Sequence, residues 1–270
     1  MPDIPRLSNV AISLKNGVAV LKYDRPKAGN ALNVPLLQDI LAGLKWAEEE
    51  DEVKVILQTG SEKIFSAGLD LKDGSVAQPG TVISDPFLDT ISEVHKTMIN
   101  SNKILVAAVN GPAPGWGTTS LALADLVYAS PSAVFFTPFV KLGLSAEACS
   151  SITLPKIMGR QKAASLLLAG DTMTAAELET AGLITKVLPK NDFLDSVLGI
   201  CYRIANQPPE ALRSNKSLLM RTSRQELLEV NEAELKVLRT RARSPEGLSA
   251  VDAFLSDQER KKKAKSQSKL

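Results

Sequence analysis

Two short glycine turns, each placed where an apolar strand runs out, constrain this chain more than any other feature. The run Val53-Lys54-Val55-Ile56-Leu57 leads to Phe65-Ser66-Ala67-Gly68-Leu69-Asp70. The run Ile104-Leu105-Val106-Ala107-Ala108-Val109 leads to Asn110-Gly111-Pro112-Ala113-Pro114-Gly115-Trp116-Gly117. Glycine lets backbone turn sharply and come close to a ligand. Such turns can leave N–H groups unpaired, and two donors converging on one cavity make an oxyanion hole, often the largest electrostatic contribution in acyl and enolate chemistry. One such turn says little. Two of them, followed by an acid at Glu147 in Leu142-Gly143-Leu144-Ser145-Ala146-Glu147, point to a site.

Hydrophobic patterning supplies the frame around these turns. Alternating apolar runs at 10–14 and 18–23 flank Asn16-Gly17, the strongest short-range hairpin signal. Pro35 opens a predicted helix to about Glu50, with Leu36, Leu37, Ile40, Leu41 and Leu44 on one stripe. A strand over 53–59, a polar loop at 72–85, a helix to about Asn100 and a strand over 104–109 follow. A short helix through Ala124 and strands near 126–129 and 133–136 come next. Strand, turn, helix and strand recur at irregular spacing, which predicts an α/β fold of stacked beta-beta-alpha units. No GxGxxG opens a helix after the first strand, so a doubly wound nucleotide fold loses its main support. Beyond about residue 190 the pattern is helical: 191–206, 209–221, 225–241 and 245–262. The expected organisation is a core over 1–190, a helical C-terminal extension over 191–262 and a flexible tail over 263–270.

Composition narrows the partners. A formal net charge of +2 gives no reason to expect a nucleic acid, and Arg260-Lys261-Lys262-Lys263 reads as a solvated helix end. Cys149 and Cys201 form no CxxC pair, and with His95 as the single histidine no metal set is expected. Both thiols are expected to be buried and free. His95 falls in the helical run 87–98 and reads as either a surface residue or a satisfied buried one. No apolar stretch reaches the length of a membrane span, and the start lacks a secretory apolar core. Ser268-Lys269-Leu270 reads as a peroxisomal address recognised by an import receptor, which predicts a peroxisomal location.

Asn30-Ala31-Leu32-Asn33, the Ser-Ala-Gly-Leu-Asp turn and the Asn-Gly-Pro-Ala-Pro-Gly turn followed by Ala124-Asp125-Leu126-Val127-Tyr128-Ala129 resemble the crotonase (enoyl-CoA hydratase/isomerase) superfamily. The resemblance runs from about 7 to 260, and 146–158 looks most like the peroxisomal delta-3,delta-2-enoyl-CoA isomerases. It implies a crotonase-like spiral that assembles as a homotrimer or hexamer. The N–H groups of Leu69 and Trp116 would be the oxyanion donors. Main-chain groups of Ala67, Gly68, Leu69, Asp70 and Leu71 would bind CoA. Lys27 is either a phosphate partner or a surface lysine. Phe254 and Leu255 would help build the acyl pocket or serve the core. No cofactor is implied, because the CoA thioester is the substrate.

Departures from the resemblance sort the subclass. Hydratases of the family carry two glutamates where this chain has Thr119 and Phe139, so an isomerase is expected rather than a hydratase. Glu147 would then take a proton from C2 of a 3-enoyl thioester and return it at C4. Phe139, Leu142, Leu144 and Ile152 would form its apolar walls. The other reading of Glu147 is a cap on the helix starting near Ala148, where negative charge suits the helix dipole. Trp116 stands where a smaller residue is usual, and its indole either narrows the acyl tunnel or packs outward. Two other readings stay open: an acyl-CoA enzyme of a specialised pathway, and a catalytically inactive acyl-CoA-binding member.

Overall fold

The computed structural model describes residues 3–61 and 63–267, so Ser268, Lys269 and Leu270 lie outside the described residues. β1 (Val10–Lys15) and β2 (Val18–Tyr23) form the expected antiparallel hairpin. β3 (Val55–Thr59), β4 (Ile104–Val109) and β5 (Leu126–Ala129) then add in parallel, and β8 (Lys186–Val187) closes the six-stranded sheet in the order β1-β2-β3-β4-β5-β8. A small second sheet pairs β6 (Val134–Phe135) with β7 (Met173–Thr174).

Parallel neighbours need crossovers, and helices supply them. α1 (Val34–Glu49) links β2 to β3, and α2 (Asp85–Asn100) links β3 to β4. Each starts on a capping side chain followed by proline: Asn33 accepts from the Leu36 N–H, and Ser84 from the Phe87 N–H. These caps move both starts a residue or two upstream of where apolar periodicity alone puts them. α3 (Trp116–Thr119) is a single turn that runs into a 3-10 turn over Ser120–Leu123.

β3 is buried on both faces, which explains its nearly unbroken apolar text. Ile56, Ala107 and Val109 face the main core with α1 and α2. Val55, Leu57, Val106 and Ala108 face the other way, against α7 (Phe193–Ala205). α4 (Ser150–Met158), α5 (Arg160–Ala164) and α6 (Ala175–Ala181) precede β8; α8 (Pro209–Met220), α9 (Arg224–Ala242) and α10 (Pro245–Gln267) complete the chain. Leu227, Leu235 and Leu238 of α9 and Val251 of α10 join the main core rather than packing apart from it. Cys149 and Cys201 are both buried and free. No helix among the described residues is long and apolar enough to cross a membrane.

Candidate active site

Both glycine turns leave the same end of the sheet and lie against each other. The Phe65 N–H donates to the Pro112 carbonyl at 3.2 Å, and a Cβ on Gly68 would stand 3.0 Å from the Pro114 oxygen. Gly68 has φ +77° and Gly115 φ +58°, so both occupy the left-handed region that glycine alone enters freely.

The Asn30–Asn33 segment sutures the first turn in place. Leu32 donates its N–H to the Gly68 carbonyl at 2.7 Å, and Asp70 donates back to the Leu32 carbonyl at 3.0 Å. In a parallel bridge of this register the residue between, Leu69, turns its own N–H to the opposite side. Arg25 steadies the far end, with ion pairs to Asp70 at 3.2 Å and Asp73 at 3.5 Å. In the second turn Trp116 is the first residue of α3, whose opening N–H groups have no partner inside the helix. Among the described residues neither the Leu69 nor the Trp116 N–H has a hydrogen-bond acceptor. Two free donors on abutting turns can bind one oxyanion.

A cavity of about 1030 Å³ collects every site residue expected from the sequence: Lys27, Ala67, Gly68, Leu69, Asp70, Leu71, Trp116 and Glu147. Lys27, Lys72 and Lys141 stand on its lining as cations, and all three are exposed. Phe139, Leu142 and Leu144 supply apolar wall as expected, and Phe254 and Leu255 reach it from α10. Ile152 does not line the cavity; it packs on the main core, because α4 starts late and turns it inward.

Glu147 lines the cavity at 5% exposure. Burial pushes its pKa up to about 8, against a hydrogen bond from Thr119 that favours the ionised form, and the nearby Glu234 carboxylate pushes it higher still. Thr119 bonds Oε1, whereas Oε2 has no hydrogen-bond partner among the described residues. Thr119 therefore holds the acid by one oxygen and leaves the other free. Glu147 does not cap α4. The helix begins at Ser150; the Glu234 carboxylate accepts the N–H of the N-cap residue Cys149 and of Ser151, and the Ser150 N–H goes to the Glu147 main-chain carbonyl rather than to its carboxylate.

His95 is fully buried, which removes its surface reading. Its Nε2 lies 3.5 Å from Glu147 Oε2. The Trp116 indole N–H donates to that same Nε2 at 3.0 Å. Indole nitrogen only donates, so Nε2 carries no hydrogen, Nδ1 does, and Nδ1 donates to Asn231 Oδ1 at 2.8 Å. Burial lowers the His95 pKa to about 4, so the ring is neutral and presents no proton to Glu147 at neutral pH. The Trp116 side chain is thereby tied toward α2 and buried, its ring 6.3 Å from that of Tyr23.

Thr119, His95 and Glu234 act on Glu147, with Asn231 behind His95, and the sequence assigned none of them to it. A signal existed for three of them. His95 falls on the buried stripe Leu88, Ile91, His95, Met98 of α2, and Asn231 and Glu234 fall on the stripe Leu227, Asn231, Glu234, Leu238 of α9. Polar residues on an apolar stripe must find partners.

The parallel sheet, its crossover helices and the cavity at the ends of the strands define an α/β protein of the crotonase spiral class. A crystal structure of an enoyl-CoA hydratase/isomerase from Pseudoalteromonas atlantica superimposes with a TM-score of 0.85 at 32% identity, covering 93% of this chain and 98% of that one. The Enoyl-CoA hydratase/isomerase family model matches residues 13–264, and the chain belongs to that family. The rat Enoyl-CoA delta isomerase 2 is 38% identical over 91% of this chain, which spans 63% of that relative's length. The mouse protein named Enoyl-CoA delta isomerase 3, peroxisomal, is 35% identical over 95% of this chain and 80% of its own length.

Proposed function

We propose that the protein is a delta-3,delta-2-enoyl-CoA isomerase, converting 3-cis- or 3-trans-enoyl-CoA to the 2-trans isomer in fatty-acid β-oxidation. The observation that carries this reading is the pairing of one buried acid, with a free oxygen, and two unpartnered N–H groups on a single cavity. With the thioester oxygen between Leu69 and Trp116, negative charge that leaves C2 gathers where the donors are fixed. Glu147 Oε2 takes the C2 proton, the electron pair spreads over a dienolate, and the same carboxyl delivers the proton to C4. The C2–H bond breaks, a C4–H bond forms, and nothing is gained or lost overall. Hydration would need a second acid to orient water; Thr119 is occupied with Glu147, and Phe139 is apolar.

CoA would lie along Ala67–Leu71, with its phosphates toward Lys27, and needs no further cofactor. The mouse relative's designation as peroxisomal supports a peroxisomal location, and the expected receptor contact is through Ser268, Lys269 and Leu270. A fluorescent N-terminal fusion that stays diffuse would reject that location. A homotrimer or hexamer is the assembly proposed, read by light scattering of the purified protein.

The test of function is conversion of 3-hexenoyl-CoA and 3-decenoyl-CoA, followed by the rise in conjugated-thioester absorbance. Turnover is expected, with kcat/KM climbing toward a limb near pH 8 as Glu147 ionises. Tight binding of both thioesters without turnover would instead identify an inactive acyl-CoA-binding member.

A further inference from the structure

Glu234 is a buried carboxylate on α9 that pairs with no cation among the described residues and does not line the cavity. Its Oε2 accepts the Cys149 N–H at 2.7 Å and its Oε1 the Ser151 N–H at 2.8 Å. Those two donors lie at and just beyond the end of the step out of Glu147. Along that step Ala148 has φ +55° and Cys149 φ +58°, two successive left-handed residues with no glycine to relieve them. Local preference opposes this path, so something outside the segment must hold it. The Cys149 thiol, donating to the Leu227 carbonyl at 3.2 Å, ties the same turn to the same helix.

We propose that Glu234 is a positioning residue for Glu147: by gripping the Cys149 and Ser151 N–H groups it holds the left-handed turn that aims the acid into the cavity. The inference rests on Glu147 being the base. Burial raises the Glu234 pKa while its bonds from Ser151 and Cys149 favour the ionised form, and once ionised it is the anion behind that base. The other groups facing Glu147 are Thr119 from α3, neutral His95 from α2 and the adjoining Cys149 thiol, which burial keeps protonated by raising its pKa to about 12. Only Glu234 among them can set a negative charge against the ionised base. Two roles follow for one carboxylate: it fixes geometry through its bonds and holds the proton on Glu147 through its charge.

Three variants separate those roles. Glu234→Gln keeps the shape and loses the charge, and one of its two grips becomes an amide facing an N–H. Its kcat is expected to fall roughly ten- to a hundredfold, the scale of a displacement near 1 Å, and the kcat/KM limb to move down by about one pH unit. Glu234→Asp keeps the charge but shortens the reach, so kcat falls while the limb stays. Glu234→Gln combined with Ala148→Gly should regain part of the kcat, because glycine relieves one of the two left-handed residues, and should keep the lowered limb. A merely structural residue would not part kcat from the limb in this way. Carboxyl ¹³C NMR, with Glu147 assigned by difference from Glu147→Gln, reads the titration without substrate. An unmoved Glu147 titration in Glu234→Gln, together with wild-type kcat, overturns the proposal. If the wild type turns over no 3-enoyl-CoA, the isomerase reading fails, while a downward shift of the Glu147 titration still upholds the link to Glu234.

Discussion

The glycine turns and the segment 144–151 face one cavity, yet they are held by opposite means. The turns are local constructions: each follows a strand, bends at a glycine and presents a main-chain donor that no side chain has to aim. The acid segment has no such local logic. It carries two left-handed residues that are not glycine, and its carboxyl is placed by Thr119, bordered by His95 and backed by Glu234, from three different helices. A donor fixed by the sheet needs little help to stay in register. A carboxylate that must gain and lose a proton needs an environment that tunes its charge, and that environment comes from residues distant in sequence.

The comparison breaks most sharply at Glu147. Glu147→Gln keeps size and shape and loses proton acceptance, so turnover should fall by about a hundred- to ten-thousandfold, with acyl-CoA affinity by calorimetry within a few-fold of wild type. Retained turnover would move the chemistry to another acid. The same variant carries a stability test. With a pKa near 8 in the folded protein against 4.5 ordinarily, Glu147 keeps a proton that the unfolded chain releases between those values. Stability from this group is therefore present below pH 4.5 and lost as pH rises through 8. Removing it should raise Tm by several degrees at pH 9 relative to pH 5, at roughly 2–4 °C per kcal/mol for a chain near this size. His95 works with the opposite sign. Its pKa of about 4 against 6.5 means that stability falls as pH drops from 6.5 toward 4, and that limb should persist in the variant.

Gly68→Ala attacks the other region. A Cβ at φ +77° would stand 3.0 Å from the Pro114 oxygen, so the second turn must give by a few tenths of an ångström and the left-handed backbone is strained as well. Loss of one oxyanion donor is worth about a hundred- to a thousandfold in kcat, and the left-handed alanine costs a further ~1–2 kcal/mol of stability in denaturant melts. Activity near wild type would mean that the Leu69 N–H is not a donor.

Trp116→Phe separates backbone from side chain at one residue. The N–H that would serve the oxyanion stays, while His95 Nε2 loses its donor in a buried site. Stability should fall by about 1–3 kcal/mol with kcat reduced far less than in Gly68→Ala. A rise in turnover would show instead that the indole obstructs the substrate. The smallest effect is expected from Ala148→Gly, where relief of the left-handed backbone should exceed the added freedom of the unfolded chain by about 0.5–1 kcal/mol. Destabilisation there would argue that the turn is not strained.

The sequence alone determined the principal strands, the helices between them and both glycine turns, because each is written in short-range terms; most of the residues on the cavity came from the resemblance, and one expected wall residue, Ile152, lies off it. Apolar runs mark strands buried on both faces, Pro35 marks a helix start, and glycine marks the bend of each site turn, whereas the left-handed Ala148 and Cys149 carry no such mark. Tertiary structure alone decided how Glu147 is held and tuned. The reading of Glu147 as a helix cap was locally sensible, but Glu234, 85 residues beyond Cys149, takes that place. His95 could be surface or core by its own neighbours, and only the meeting of Trp116 and Asn231 on its two nitrogens fixes it as a neutral, buried ring. The physical reason is range. Backbone conformation is chosen by a residue and its neighbours, whereas desolvation and the field of a buried charge are set by whatever the fold brings within a few ångströms.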